Sequence, residues 1–212
     1  MKSFLNQKKI IKSSKELEEK NLNIGSEGNV SLRSKKGFYI SPSAIRPNKL
    51  KISDIPYISF EGKQTGGKKP SSEWMMHLLI YRERSDIKAI THSHSMWSTS
   101  LSCLRKKIPS FHYMVAEFGG DDIKCSKYAT FGTNLLAKNV LLALNERKGC
   151  LMANHGQLTT GKSIEESISL CESLEKLSKQ YFLCKLTGQV KLLNKKEMKE
   201  VIHLFSNYKS KY

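Results

Sequence analysis

The sequence predicts an α+β or layered α/β fold in one domain that covers residues 1–212. Short apolar runs bounded by turn residues alternate along the chain with longer segments of helical period. Val30-Ser31-Leu32 and Phe38-Tyr39-Ile40 flank Lys35-Lys36-Gly37 and predict a β-hairpin, so at least some strands are antiparallel. The sequence has no internal repeat, low-complexity tract or linker that would divide it.

Capping residues and apolar periodicity set the bounds of the predicted elements. Ser71 and Ser72 open one helix ahead of Glu73, Ser163 opens a long helix, and Asn194 stands at capping-box spacing before Glu197. The predicted helices cover residues 3–22, 70–84, 95–104, 132–145, 163–186 and 194–208. The predicted strands cover residues 30–32, 38–40, 55–60, 87–92, 112–115, 123–128 and 150–156, with a polar surface loop over 62–70.

The charge of the chain does not indicate a nucleic-acid binder. The formal net charge is +17, and 36 residues are Lys or Arg, of which only six are Arg. Proteins that read nucleic acid concentrate their basic residues and use more Arg for bidentate contacts, whereas these lysines are spread along the chain. We therefore expect no nucleic-acid partner, and a solvated Lys-rich surface whose charge helps to steer an anionic substrate.

The composition also favours a protein without a membrane anchor. No apolar run approaches the ~20 residues of a membrane span, and the N-terminal residues lack the apolar region of a signal peptide. Five cysteines, at positions 103, 125, 150, 171 and 184, are scattered and form no CxxC motif. We expect no membrane contact and a cytoplasmic protein with reduced, buried thiols.

Two histidines, His92 and His94, stand two residues apart at the end of the strand predicted over 87–92. Side chains at i and i+2 of a strand project from the same face, so the two imidazoles can meet at one point. His155, which follows an apolar strand, is a candidate third imidazole. Three neutral imidazoles suit Zn²⁺ and leave a fourth position for water, a carboxylate or a substrate. Spacing alone equally allows His155 to satisfy only a turn hydrogen bond.

Small polar residues near Glu73 and elsewhere are candidates for binding an anion. Glu73 either complements the dipole of its helix or ligates a metal and moves protons. Residues 26–29, 41–44 and 71–72 are loops whose backbone N–H groups and hydroxyls can hold phosphate, and the last of them lies at a helix N-terminus. The sequence has no Walker or Rossmann fingerprint, so we expect no nucleotide cofactor.

Taken together, these motifs resemble those of the class II aldolase/adducin family, in particular its bacterial enzymes that act on L-fuculose 1-phosphate. They occur in the family's order and spacing over nearly the whole chain. The segments that carry the resemblance are GSEGNVS at 25–31, PSSEW at 70–74, HSH at 92–94, IPSFHYM at 108–114, YATFGT at 128–133 and NHG at 154–156.

The resemblance implies a three-layer sandwich, with a central, mostly antiparallel sheet flanked by helices. It implies a homotetramer with active sites between subunits, and one Zn²⁺ per subunit held by His92, His94, His155 and an exchangeable Glu73. It also implies cleavage of a ketose 1-phosphate to dihydroxyacetone phosphate and an aldehyde such as lactaldehyde. The implied phosphate-binding residues are Ser26, Gly28, Asn29, Ser43, Ala44, Ser71 and Ser72.

The aldehyde end of the implied site is less well matched. The resemblance gives the catalytic acid or base role to Glu73 and to Tyr113, the latter supplied by an adjacent subunit, and places Phe131 and Tyr208 in the aldehyde pocket. Glu117 stands where a small apolar residue is usual, either in this pocket or as an intersubunit salt-bridge partner. Ala44 replaces the usual Gly in a phosphate loop, which keeps the backbone donor.

Three other functions compete with a zinc aldolase. Epimerisation of a pentulose 5-phosphate and dehydration of methylthioribulose 1-phosphate are chemistries of the same family and use the same three histidines. The aldolase-like His-Tyr-Met context of Tyr113 favours aldol cleavage over both. A non-catalytic adducin-like interaction module is disfavoured, because all three candidate histidines and Glu73 are present.

Overall fold

An eight-stranded sheet with the strand order β4-β3-β2-β1-β5-β8-β7-β6 forms the middle of the protein. The computed structural model describes residues 2–208, and side chains over 3–205. The strands are β1 Asn29–Ser34, β2 Gly37–Ile40, β3 Tyr57–Ser59, β4 Gln64–Thr65, β5 Ala89–Ser93, β6 Cys125–Ser126, β7 Gly149–Met152 and β8 Gly156–Gly161. Every neighbouring pair is antiparallel except β6 and β7, which are parallel.

Helices cover both faces of this sheet. The helices are α1 Lys2–Glu19, α2 Trp74–Glu83, α3 Met96–Ser102, α4 Asn134–Leu144, α5 Ile164–Thr187 and α6 Lys195–Tyr208, and 3-10 helices cover Pro47–Lys49, Ile52–Asp54 and Tyr113–Phe118. On one face, Ile90 and Leu158 pack with α2 and α4. On the other, Val30 packs with α1 and α5, and α3 and α6 share a further cluster with α5. Each large apolar side chain buried here contributes about 1.5–3 kcal/mol.

The alternation along β5 decides which side chains face the site. Ile90 belongs to the core on the α2 side, so His92, two residues later, faces α2 as well. Thr91 faces the opposite layer, where its hydroxyl lies 2.8 Å from the Ser167 hydroxyl of α5. The register then pairs His92 with Asn29 of β1 on one side and with Leu158 of β8 on the other.

Several sequence predictions hold at the level of local structure. The hairpin is confirmed by the pairing of β1 with β2. Ser163 caps α5 by accepting a hydrogen bond from the Glu166 amide at 3.1 Å. Asn194 and Glu197 form the predicted capping box, since the Asn194 amide donates to the Glu197 carboxylate at 2.6 Å and the Asn194 side chain accepts from the Glu197 amide at 3.0 Å.

Other predictions are wrong, for physical reasons. Residues 112–115 do not form a strand, because a 3-10 helix covers Tyr113–Phe118, with the His112 ring accepting from the Met114 amide at 3.1 Å. The loop over 62–70 contains the short strand β4. Strand β8 was not predicted because its sequence, GQLTTG, is polar. All six of its residues are buried, and Thr159 donates to the Ser167 carbonyl at 2.7 Å.

In the part of the chain that the structure describes, each helix is too short or too polar to cross a lipid bilayer. The five cysteines are all free thiols, as expected. They are not all buried, however, because Cys103 and Cys184 are exposed.

Candidate active site

Strand pairing brings the three candidate histidines to one edge of the sheet. Strand β5 ends at Ser93, which lies opposite Gln157 near the start of β8. Because the two strands are antiparallel, the residues after the end of β5 lie beside those before the start of β8. His94 and His155 occupy these two positions. At Gly156 an added Cβ would collide with the Ser93 carbonyl, so the close approach of the two segments requires glycine there.

The three imidazoles surround one point. The ring centroids of His92 and His94 are 4.9 Å apart, those of His92 and His155 are 4.9 Å apart, and those of His94 and His155 are 5.0 Å apart. The Nε2 atoms of His92 and His94 are separated by 3.1 Å. One nitrogen from each ring lies within 4.8 Å of the others, so this group can hold a metal ion.

Glu73 brings a carboxylate to the same point. It occupies the N-cap position of α2, where Ser71 and Ser72 were predicted, and its side chain makes no capping hydrogen bond. The side chain instead turns into the site. Its Oε2 lies 3.0 Å from His92 Nε2, and its Oε1 lies 3.3 Å from His155 Nε2. Oε1 is buried, and among the described residues it has no hydrogen bond of adequate geometry.

This donor set fits a cation. The Nδ1–H of His92 donates to the Gln157 carbonyl at 2.8 Å, which leaves the lone pair of His92 Nε2 facing the Glu73 carboxylate. The two groups repel each other at this buried position unless a positive charge lies between them, either a proton on His92 Nε2 or a metal ion. A divalent metal ion would satisfy these acceptors and the buried Oε1 of Glu73 together, since imidazole nitrogen and carboxylate oxygen are its common ligands.

Burial and neighbouring charge shift the pKa values of the same groups. Burial lowers the pKa of His94 to about 3 and that of His155 to about 4, in both cases assisted by the charge of His92. Burial also acts to lower the pKa of His92, but the Glu73 carboxylate outweighs it and raises that pKa. Burial acts to raise the pKa of Glu73, and the His92 charge more than offsets it, so this pKa lies below its usual range.

The loop before β1 adjoins the imidazoles and fixes their position. The Asn23 side chain accepts a hydrogen bond from the His94 amide at 3.0 Å. Gly28 has φ +61°, and an added Cβ there would lie 2.5 Å from both the Asn23 side chain and the His92 carbonyl. Only glycine fits this position without displacing the chain that carries His92 and His94.

A cleft of about 400 Å³ opens beside the imidazoles. His94, His155 and Glu73 line one part of it, while His92 is fully buried behind them. The predicted phosphate-binding residues line it too, namely Ser26, Gly28, Asn29, Ser43, Ala44, Ser71 and Ser72. The cleft therefore joins a potential metal site to a cluster of hydroxyl and backbone donors at the N-terminus of α2.

The comparison with known families agrees with this arrangement. A sequence model described as "Class II Aldolase and Adducin N-terminal domain" matches residues 8–182. The chain belongs to the class II aldolase/adducin family. The resemblance drawn from the motifs is thereby confirmed, and the similarity to named aldolases shows that the chain is an enzyme of the aldehyde-lyase class.

Relatives of this class II aldolase cover almost all of its length. It is 41% identical over 199 residues to a 5-methylthioribulose-1-phosphate/5-deoxyribulose-1-phosphate aldolase of Rhodospirillum rubrum, covering 94% of this chain and 90% of the relative. It is 39% identical over 201 residues to an L-fuculose phosphate aldolase of Haemophilus influenzae, covering 94% and 93%. A solved L-fuculose 1-phosphate aldolase superposes with a TM-score of 0.92 at 37% identity, covering 95% of this chain and 96% of that one.

These matches confirm the predicted three-layer fold with a mostly antiparallel sheet. The assignment of residues 1–212 to one domain stays a prediction. Ala44 in this class II aldolase has φ +57°, a left-handed conformation that costs a non-glycine residue roughly 1–2 kcal/mol. The loop thus retains a backbone shape suited to glycine although it carries alanine.

Among the residues predicted for the aldehyde end whose side chains the structure describes, only Phe131 lines the cleft, where it is 66% exposed. Tyr113 and Glu117 do not line it; they lie on the 3-10 helix Tyr113–Phe118, where Tyr113 is 51% exposed. One oxygen of Glu117 is buried without a hydrogen bond among the described residues. The side chain of Tyr208 lies outside the described part of the chain.

Sequence reasoning assigned no role to several residues at the site. Glu27, Tyr128 and Asn154 line the cleft. His77 lies one helical turn after Glu73 and is fully buried behind it. The spacing of four residues on one helix was the available signal for His77, since i and i+4 share a face. Glu27, Tyr128 and Asn154 lie within motifs that carried the family resemblance, at positions to which no role was given.

Proposed function

We propose that the protein is a zinc-dependent aldolase that cleaves a deoxyketose 1-phosphate reversibly to dihydroxyacetone phosphate and an aldehyde. The supporting observation is that three imidazoles and the Glu73 carboxylate converge at a cleft whose remaining wall carries hydroxyl groups and a helix N-terminus. In a ketose 1-phosphate the carbonyl carbon is C2, and the neighbouring C1 carries the phosphate. The cleft of about 400 Å³ therefore accommodates both groups.

The residues that would hold the ion are His92, His94 and His155, with Glu73 as an exchangeable fourth ligand and one Zn²⁺ per subunit. When bound, Zn²⁺ supplies a Lewis acid that polarises the ketone and stabilises the negative charge that develops on bond cleavage. The hydrogen bond from His92 Nδ1 to the Gln157 carbonyl keeps Nε2 free for this role.

The phosphate would occupy the wall opposite the imidazoles. The hydroxyls of Ser26, Ser43 and Ser72 make no hydrogen bond within the described part of the chain, so they are available to an anion. The Ser71 hydroxyl oxygen accepts from the side-chain NH₂ group of Asn29 at 3.0 Å and from the backbone N–H of Glu73 at 3.4 Å, so its own O–H remains free to donate. The N-terminus of α2 adds a favourable dipole for negative charge.

Glu73 and Tyr113 would move the protons. In the direction of synthesis, the Glu73 carboxylate removes a proton from C3 of dihydroxyacetone phosphate. The electron pair of that C–H bond then forms the C3–C4 bond to the aldehyde carbon, and the aldehyde oxygen takes a proton from Tyr113. Cleavage follows the same steps in reverse. Both residues recover their starting protonation by exchange with water.

The names of the relatives point to the substrate class. They are aldolases of L-fuculose phosphate, 5-deoxyribulose 1-phosphate and 5-methylthioribulose 1-phosphate, which favours aldol cleavage over the epimerase and dehydratase alternatives. These sugars share an apolar group at the end remote from phosphate. Phe131 and Tyr128, both on the cleft and both more than half exposed, offer apolar surface to such a group.

A panel of these three ketose 1-phosphates tests the proposal. We expect purified protein to release dihydroxyacetone phosphate from at least one of them, measured by coupled reduction with NADH. Incubation with a chelator should abolish the release, and added Zn²⁺ should restore it. An absence of dihydroxyacetone phosphate with all three sugars would contradict the aldolase proposal. Full turnover after chelation would contradict the metal dependence alone.

We also propose a homotetramer in which Tyr113 serves the site of a neighbouring subunit. The exposure of Tyr113 and its absence from the cleft of its own chain support this arrangement. It predicts complementation between two inactive variants, His92→Ala and Tyr113→Phe. In mixed oligomers, some sites combine an intact His92 from one subunit with an intact Tyr113 from another.

Random assortment of equal amounts should restore about a quarter of the wild-type activity. The measurement is the activity of mixed oligomers, purified after co-expression with two different affinity tags. Mixing the two variants after separate purification, without exchange of subunits, is the control. Activity no greater than the sum of the two parents in verified mixed oligomers would place Tyr113 outside the neighbouring site.

A further inference from the structure

A chain of buried hydrogen bonds leads from α2 to the Glu73 carboxylate. The Tyr81 hydroxyl lies 2.8 Å from the Ser31 hydroxyl, which lies 2.6 Å from His77 Nδ1. On the other side of the ring, His77 Nε2 lies 2.5 Å from the side-chain oxygen of Asn29. The Asn29 amide nitrogen then lies 3.0 Å from Glu73 Oε2. All five residues are buried.

Every hydrogen bond in this chain has a determined direction. A carboxylate only accepts, so the Asn29 NH₂ group must face Glu73 and the Asn29 oxygen must face His77. That oxygen also only accepts, so His77 Nε2 carries a proton. Full burial lowers the pKa of His77 to about 3, so the ring is neutral and Nδ1 accepts from Ser31. Ser31 in turn accepts from Tyr81, and all donors point toward Glu73.

The side-chain NH₂ group of Asn29 also contacts one of the predicted phosphate-binding residues. Its second N–H donates to the Ser71 hydroxyl oxygen at 3.0 Å. Ser71 is thereby held as an acceptor, which directs its own O–H toward the cleft. If the Asn29 side chain were reversed, its oxygen would face the Glu73 carboxylate and both donations would be lost.

We propose that His77 is a positioning residue that sets the orientation of Asn29, and through it both the Glu73 carboxylate and the Ser71 hydroxyl. This proposal rests on the proposed function, because it gives Glu73 and Ser71 their roles at the reacting carbon and at the phosphate. One buried imidazole thus links the proton-transfer end of the site to its anion end. His77 makes no contact with the cleft itself.

Substitution of His77 separates this role from simple packing. His77→Leu removes the donor to Asn29, whereas His77→Gln keeps an N–H at the position of Nε2. Ile80→Ala is the matched control, because Ile80 is fully buried on the same helix and belongs only to the apolar core. The probes are inorganic phosphate binding by calorimetry and the kinetic constants of the zinc-loaded, full-length protein.

We expect His77→Leu to weaken phosphate binding and to lower kcat/KM by about 10- to 100-fold, the usual effect of a residue that orients a site from behind it. His77→Gln should recover much of this loss, and zinc content should not change. Ile80→Ala should lower thermal stability without a change in phosphate affinity. Phosphate affinity and turnover within about twofold of wild type in folded His77→Leu would overturn the proposal.

The protonation of the ring gives an independent test that requires no variant at position 77. Selective ¹⁵N labelling of histidine should show His77 as a neutral ring with the proton on Nε2. Ser31→Ala, which removes the donor to Nδ1, should weaken phosphate binding in the same sense as His77→Leu. A proton on Nδ1 in the wild type would overturn the proposal even if the enzyme proves inactive on every sugar. Conversely, an inactive wild type with the Nε2 proton in place would contradict only the proposed function.

Discussion

Replacement of His92 by alanine is expected to abolish metal binding and activity together. His92 contributes the most deeply buried of the three imidazoles, and its Nε2 lies within 3.1 Å of both Glu73 Oε2 and His94 Nε2. The substitution leaves two imidazoles and a carboxylate around a cavity. A Lewis acid contributes several kcal/mol to such a reaction, and each 1.36 kcal/mol is a factor of ten, so we expect kcat to fall by at least about 10³-fold.

The measurement is metal content by mass spectrometry beside turnover, on protein shown to be folded by circular dichroism. His203→Ala is the control, because His203 is an exposed imidazole that neither lines the cleft nor belongs to the group of histidines that can hold a metal ion. It should keep the metal content and the activity of the wild type. A His92→Ala protein with a full complement of zinc would show that the three imidazoles are not the metal site.

The metal site could be predicted only in part from local sequence. Strand periodicity predicts that His92 and His94 project from the same face, because this periodicity is a property of a few neighbouring residues. The position of His155 depends on the pairing of β5 with β8, and β8 was not predicted. The threonines of β8 look polar in sequence, but in the structure Thr159 donates to the Ser167 carbonyl of α5 and Thr160 donates to the Lys148 carbonyl. The prediction that the three imidazoles converge therefore rests on the family resemblance and not on residue spacing.

The phosphate-binding loops, like the metal site, could be predicted only in part from local sequence. Residues 26–29, 41–44 and 71–72 were each weak signals, because loops of Ser and Gly are common. The structure joins them through two long-range contacts, the hydrogen bond from the Asn29 side chain to the Ser71 hydroxyl at 3.0 Å and an isolated bridge between Pro42 and Pro70. Neither contact can be derived from the residues on either side of it, since each joins segments that are far apart in the sequence.

The prediction of residues 112–115 failed because a local pattern was overridden by the surrounding structure. The segment reads as apolar and aromatic, but the His112 ring accepts from the Met114 amide and starts a 3-10 turn. Val115 and Phe118 then pack into the core formed with α5 and α6. This turn presents Tyr113 at the surface, which supports the role in a neighbouring subunit that the family resemblance implies.

Glu73→Gln is expected to retain the metal and lose most of the turnover. The amide has the shape of the carboxylate, its oxygen can still accept from Asn29, and the three imidazoles remain in place. It cannot take up a proton at C3, which is the role proposed for Glu73. Loss of a general acid or base typically costs about 10²- to 10⁴-fold, so kcat should fall by a factor in this range.

Zinc content and kcat, measured on the same preparation, distinguish the role of Glu73 in proton transfer from its role as a ligand. Glu83→Gln is the matched control, since Glu83 is an exposed carboxylate on the same helix and undergoes the same chemical change. It should behave as the wild type. If Glu73→Gln loses zinc, the carboxylate acts chiefly as a ligand, because His92, His94 and His155 alone then do not retain the ion. If it keeps zinc and turns over at the wild-type rate, another group moves the proton, and Tyr113 of the neighbouring subunit becomes the candidate.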